Sequence, residues 1–276
     1  MRSFSIALSA LLLSSASTNS SAESAFTPIR IHYDDLVNAR VSLLDALEDS
    51  SGIISMTDLP KNFSAIKKDV MSNLHSCIMN QQQNQDQHDV AEESFADGTV
   101  RRTLATATSA LEGPLDLNVG KSTSCVSFEK NLKHFRSIAN EATNSFAKAL
   151  SEEMDPHLAK PLLVKKGKSE DSYDTIEDLV ANGEQLEHFH SYQKTERIGE
   201  EFEEDNAMLT IDIHADQGFF IAFTPGMMMS SNKDNESVSS EGFYIVEKDS
   251  DDVPIHVNFN IESDDLIFML GDGVNQ

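Results

Sequence analysis

Residues 209–223, Leu-Thr-Ile-Asp-Ile-His-Ala-Asp-Gln-Gly-Phe-Phe-Ile-Ala-Phe, read as the end of one strand (207–214) running through Gly218 into another (218–224). Residues i and i+2 of a strand point to the same side, so the reading sets His214 and Asp216 on one face. An imidazole and a carboxylate so placed can grip one metal ion together. They are two-thirds of the 2-His-1-carboxylate set that holds non-haem Fe(II). The bare pattern is not specific: a chain with 9 His and many Asp yields about one such pair by chance, and His32-Tyr33-Asp34 matches too. No convincing third ligand follows before Gln276.

Working outward, strand grammar begins near Gln185 with Leu186-Glu-His-Phe-His-Ser-Tyr192 and resumes after the acidic stretch 196–205. Short alternating runs at 242–247, 255–261 and 265–270 complete the C-terminal half. The N-terminal half has mostly helical spacing. After a short strand, Pro28-Ile-Arg-Ile-His-Tyr33, apolar residues recur at 36, 37, 43, 44 and 47 in one helix ended by Gly52. Ile53 to Met56 reads as a strand, 64–79 as a second amphipathic helix, 128–153 as a long helix stopped by Pro156, and 173–181 as a short one. Residues 81–89 are a Gln/Asn-rich tract, and 101–110 fit either period. The expected fold class is α+β: a helical N-terminal region (28–183) followed by a sandwich or jelly-roll (184–276).

Charge limits the partners. The chain carries 46 acidic against 21 basic residues, net −25. Such a field repels nucleic acid and anionic membrane, because phosphate binding needs Lys and Arg to displace counterions. The N-terminus reads as a secretory leader, residues 1–22: Arg2, the apolar run Ile6 to Leu13, then a small-residue tract with Ser20-Ser-Ala22 as the cleavage zone. That run is too short to span a bilayer. The expectation is a secreted or secretory-lumen protein with no membrane span. Cys77 and Cys125, the only cysteines, can form one bridge in an oxidising compartment or remain two buried thiols; their spacing is no zinc motif.

Other constellations have plain readings. His188 and His190 share the face of Tyr192, as a second metal grip or as pocket lining. Met227-Met-Met229 is apolar cover in a turn, and Arg101-Arg102 pairs with surplus carboxylates. Residues 249–252 lack the spaced oxygens and Gly of a calcium loop. There is no Gly-x-Ser-x-Gly elbow and no phosphate loop.

The order of segments carries a resemblance. Ile29-Arg-Ile-His-Tyr-Asp-Asp-Leu36, Ala46-Leu47, Gly52-Ile-Ile54 and Pro60, then Leu186 to Tyr192, His214-Ala-Asp-Gln-Gly218, Gly242-Phe-Tyr-Ile-Val246 and Leu266-Ile-Phe-Met-Leu-Gly-Asp272 follow one another. In that order they are similar to the isopenicillin N synthase-like 2-oxoglutarate/Fe(II) dioxygenases. The resemblance implies a double-stranded β-helix with Fe(II) on His214 and Asp216. It implies 2-oxoglutarate as co-substrate, with Tyr192 reaching the oxoacid, although His190 stands where that family has Asn. It implies hydroxylation or desaturation of a small molecule or peptide. The family's second iron-binding His and its Arg-x-Ser pair follow the Gly-Asp strand, so both are expected beyond Gln276, along with the closing strands. His256 precedes that strand and reads as a polar-face residue beside Asn258. Two expectations stand side by side: a piece of a longer oxygenase, or a secreted, inactive relative acting as a binding module.

Overall fold

The computed structural model describes residues 4–10, 25–60, 62–81, 90–96, 98–109, 113–114, 122–160, 162–164, 172–194, 211, 214–216, 218–227, 229, 243–246, 255–259 and 264–272. The Gln/Asn-rich tract at 82–89, most of the strand expected at 207–214, and the loop at 230–242 lie outside them.

The chain opens with strands β1 (Phe4–Ala10), β2 (Ala25–Phe26) and β3 (Ile29–His32). Helices α1 (Tyr33–Val37) and α2 (Leu43–Glu48) follow. The sequence expects one helix over this stretch. The structure breaks it at Ala39, whose φ of 48° is left-handed and incompatible with a continuing right-handed turn. The Ser42 hydroxyl then caps α2 by accepting from the Asp45 backbone N–H.

Strand β4 (Ile53–Thr57) and helix α3 (Phe63–Gln81) come next, then β5 (Val90–Ser94), β6 (Thr99–Ser109) and β7 (Gly113–Pro114). The segment around Arg101 that fits either period is therefore strand, fixed by its pairing with β5 and a later partner. Helix α4 (Thr123–Met154) is the longest element. It buries Phe128, Leu132, Phe135, Ala139, Ala142, Phe146 and Leu150, a stripe at three- and four-residue spacing that lies on one helical face. Strands β8 (Leu163–Val164) and β9 (Ser172–Tyr173), helix α5 (Ile176–Asn182) and strands β10 (Gln185–Lys194), β11 (Phe220–Thr224), β12 (Tyr244–Ile245), β13 (Ile255–Val257) and β14 (Leu266–Leu270) complete the described chain.

One sheet runs β3-β4-β14-β11-β1-β10-β6-β5, with β7 attached to β6. Most neighbours are antiparallel; β3 with β4 and β1 with both β10 and β11 are parallel. The architecture is mixed α and β with antiparallel pairing dominant, and the described strands close no barrel. Because β3 to β6 share this sheet with β10, β11 and β14, the helical N-terminal region and the strand-rich C-terminal one build a common core. The apolar stretch read as a leader supplies β1, which bridges β10 and β11.

The sheet has two covered faces. On one, Ile54, Phe220, Ala222 and Phe268 join α3 and α4 in the main core. Phe146 of α4 stacks on Phe268 at 4.3 Å between ring centroids and meets Phe220 at 5.0 Å. On the other, Ile53, Phe223 and Ile267 pack with Val257 and Phe259 beneath a small sheet, β12-β13-β2. A two-residue alternation thus sends Ile53 and Ile54, or Ala222 and Phe223, into opposite cores. Helices α3 and α4 are fastened by a Cys77–Cys125 disulfide, which closes the alternative the sequence leaves open.

Candidate functional site

Strand β10 carries two sets of side chains with opposite fates. Glu187, Phe189 and Ser191 face the helices. Glu187, 2% exposed, receives Arg136 of α4 through Nε at 2.9 and 3.0 Å and through Nη2. Phe189 meets Phe128 edge-on at 5.7 Å, and the Ser191 hydroxyl lies 2.8 Å from His75 Nδ1. Every polar group named on this face has a partner.

The alternate residues, His188, His190 and Tyr192, look the other way. The rings of His188 and His190 are 5.8 Å apart, and those of His190 and Tyr192 are 6.1 Å apart. His190 is buried, with Nδ1 2.9 Å from the Thr103 hydroxyl on the paired strand β6. Burial, reinforced by neighbouring His188 and Arg101, holds its pKa down at about 4, so it is a neutral imidazole at pH 7. His188 is half-buried, and burial lowers its pKa against the opposing pull of Asp216. Among the described residues, neither ring nitrogen of His188 takes part in a hydrogen bond.

Asp216 lies in the segment that leads into β11. The sequence sets His214 and Asp216 on a strand; residues 214–216 instead have no regular structure. The pair still meets: His214 Nε2 is 3.6 Å from Asp216 Oδ1, with the imidazole 58% and the carboxylate 28% exposed. Burial raises the Asp216 pKa, while the positive ends of His214 and then His188 pull it back. The Asp216 carboxylate is therefore within electrostatic range of two imidazoles from separate parts of the chain.

The backbone here is pinned by the end of β14. Asp272 N–H donates to the Asp216 carbonyl at 2.7 Å, and Gly271 N–H to the Phe219 carbonyl at 3.0 Å. Gly271 permits this approach. A Cβ at that position would lie 2.3 Å from the Gly218 carbonyl oxygen and 2.8 Å from that of Asp216, closer than real contacts allow. The Gly-Asp at 271–272 thus fits the His214-Ala-Asp segment onto the sheet end, a role no local pattern announces.

Tyr192 is buried beside His190 and opposite Arg101 in the β6 register. It lies four residues beyond His188, about 13 Å along the strand, and it is His188 of this face that is in electrostatic range of Asp216. His256 on β13 packs its ring 5.3 Å from that of Tyr244, while Val257 and Phe259 point into the second core. A separate polar cavity of about 370 Å³ lies at the β3 edge, lined by Arg30, Thr57, Asp58, Asn62 and Asp265 among others, where Arg30 is already paired with Asp265.

The donor chemistry suits a divalent transition metal: neutral imidazole and a partly buried carboxylate. The number falls short as the side chains stand. Among the described residues no three His, Cys, Asp or Glu are grouped so as to hold a metal ion. No described helix is long and apolar enough to cross a membrane. No family model matches the chain, and neither a curated protein nor a solved structure is significantly similar to it.

Proposed function

We propose that the chain is an Fe(II)/2-oxoglutarate-dependent oxygenase of the jelly-roll type, hydroxylating or desaturating a small molecule or peptide. The observation that carries the reading is the juxtaposition of His214 and Asp216, 3.6 Å apart, at the end of a sheet with helices on one face and a small sheet on the other. A two-sheet arrangement of this kind is what a double-stranded β-helix requires, and the segment order of the sequence is in keeping with it.

His214 and Asp216 would hold the iron, which supplies open positions for the oxoacid and O2. Asp216 would offset the ion's charge, and its partial burial keeps bulk water from competing for that carboxylate. The Cys77–Cys125 bridge accords with a secreted or lumenal protein.

The test is Fe(II)-dependent conversion of 2-oxoglutarate to succinate by purified protein. Turnover that His214→Ala abolishes is the expected result. A second reading, a secreted binding module without catalysis, is favoured by the lack of a three-donor group among the described residues. It predicts no succinate and an unchanged phenotype in Asp216→Ala.

A further inference from the structure

We infer that Asn62 is an N-glycosylation site, the Asn62-Phe63-Ser64 triplet accepting an oligosaccharide on the Asn62 carboxamide nitrogen. Modification there presupposes the secreted or lumenal reading of the chain and is independent of the oxygenase reading.

The Asn-x-Ser/Thr pattern starts at Asn19, Asn62 and Asn235. This composition yields about three such triplets by chance, so the pattern alone decides nothing. Asn19 falls inside the stretch read as a leader, and Asn235 lies outside the described residues. Placement is what distinguishes Asn62. Asn62 and Ser64 are both exposed, whereas Phe63 between them is buried and stacks on Phe135 of α4 at 5.4 Å between centroids. The buried ring anchors the triplet and turns its two polar side chains outward.

The backbone explains why the carboxamide is available. Asn62 stands at the start of α3, where its carbonyl accepts the Ile66 N–H at 2.9 Å. A residue in that place ordinarily has extended backbone and folds its side-chain oxygen back onto the first turn. Ser42, Ser122 and Thr175 do this, accepting the backbone N–H groups of Asp45, Cys125 and Asp178. Asn62 instead has a φ of 81°, a left-handed conformation that Asn tolerates better than most residues. Among the described residues its carboxamide enters no hydrogen bond, so linking a sugar to Nδ2 breaks no native contact. Both polar side chains of the triplet line the polar cavity beside Arg30 and Asp265, which leaves the first sugar open space and no core residue to displace. The Cys77–Cys125 bridge farther along α3 needs the same kind of oxidising compartment in which N-glycans are added. In the transfer, the C1–O bond between the oligosaccharide and its lipid-pyrophosphate carrier breaks and the C1–N bond to Asn62 Nδ2 forms. The carboxamide gives one proton to a base as the lipid pyrophosphate leaves.

Expression of the full chain through a eukaryotic secretory pathway tests the assignment, with peptide-N-glycosidase digestion in heavy-oxygen water and peptide mass mapping as the readout. The expected result is a gel shift on digestion and heavy-oxygen labelling at position 62. Ser64→Ala should abolish that label and Ser64→Thr should keep it, both with the wild-type melting temperature after deglycosylation, since Ser64 is exposed and Ala favours a helix. Secreted protein with the Cys77–Cys125 bridge closed and position 62 unlabelled would overturn the assignment while leaving the secreted reading intact. Label confined to Asn235 would do the same. Protein retained in the cytosol with both thiols free would overturn the two together.

Discussion

The two faces of β10 are built from the same ten residues and obey opposite rules. Toward the helices, Glu187 is doubly held by Arg136 and Ser191 is bonded to His75. Toward the other side, His188 has no hydrogen bond among the described residues and His190 is kept neutral by its surroundings. The first face is a solved packing problem in which each buried polar group has its partner. The second leaves donor atoms uncommitted close to a half-buried carboxylate whose charged form is disfavoured by burial. Arrangements of that second kind cost stability and are found where a ligand repays it.

The comparison can be broken most severely at Arg136. Removing it leaves Glu187 charged and buried, which typically costs about 3–5 kcal/mol. Urea denaturation of Arg136→Ala should show that loss, whereas the double variant Arg136→Leu/Glu187→Leu should recover most of it. A single variant within 1 kcal/mol of wild type would mean the ion pair does not anchor β10 to α4.

The next effect belongs to the helical layer. Breaking the Cys77–Cys125 link, which closes a loop of 48 residues, should cost about 2–4 kcal/mol by freeing the unfolded chain. Cys77→Ser/Cys125→Ser should melt lower than wild type and respond little to added reductant. Wild-type melting that reductant leaves unmoved would contradict a closed bridge.

Gly271 joins the two regions. Gly271→Ala must push the Asp216 and Gly218 carbonyls off the end of β14, at a cost of roughly 1–3 kcal/mol. Its effect on Co(II) affinity should exceed that on folding, since Asp216 moves while the core does not. A variant as stable as wild type with unchanged affinity would show that the close approach of these segments is not fixed.

The smallest effect sharpens the contrast through pH. Folded His190 titrates at about 4, below its ordinary value of 6.5. Between those values the unfolded chain binds the extra proton. Stability is therefore full above about pH 7 and is lost as pH falls toward 4, with a slope of at most about 1.4 kcal/mol per pH unit from this group. His190→Gln, which can still bond Thr103, should flatten the slope over that window; His188 and His75, lowered by burial as well, leave a residual slope of the same sign. Identical pH profiles for variant and wild type would place His190 in solvent.

Much of the fold is legible in the chain because it is local. The stripe from Phe128 to Leu150 announces α4 by its spacing, and the alternation at 186–192 announces β10, since helix and strand periods are properties of neighbouring residues. Strand identity at 101–109 was not legible: Arg101-Arg-Thr-Leu-Ala-Thr-Ala-Thr108 has no dominant period, and ten residue pairings with β10 decide it. The helix expected over residues 34–47 failed at Ala39, where the chain turns back toward α2 with no Gly or Pro to signal it.

By itself, the sequence determined the candidate chemistry, naming His214 and Asp216 by residue type and spacing, and it determined which runs bury an apolar face. Only the tertiary structure decided that Cys77 meets Cys125, that Glu187 is neutralised by Arg136, that Gly271 lets Asp216 and Gly218 sit against the end of β14, and that His188 comes within electrostatic range of Asp216. These meetings join residues 28 to 55 positions apart, and they follow from strand register and from which face a helix covers. A shift of one residue in register would send His188 into the helices and Glu187 to the site. No local pattern encodes that choice, because both faces of β10 mix aromatic and polar side chains and only the partners waiting on each side distinguish them.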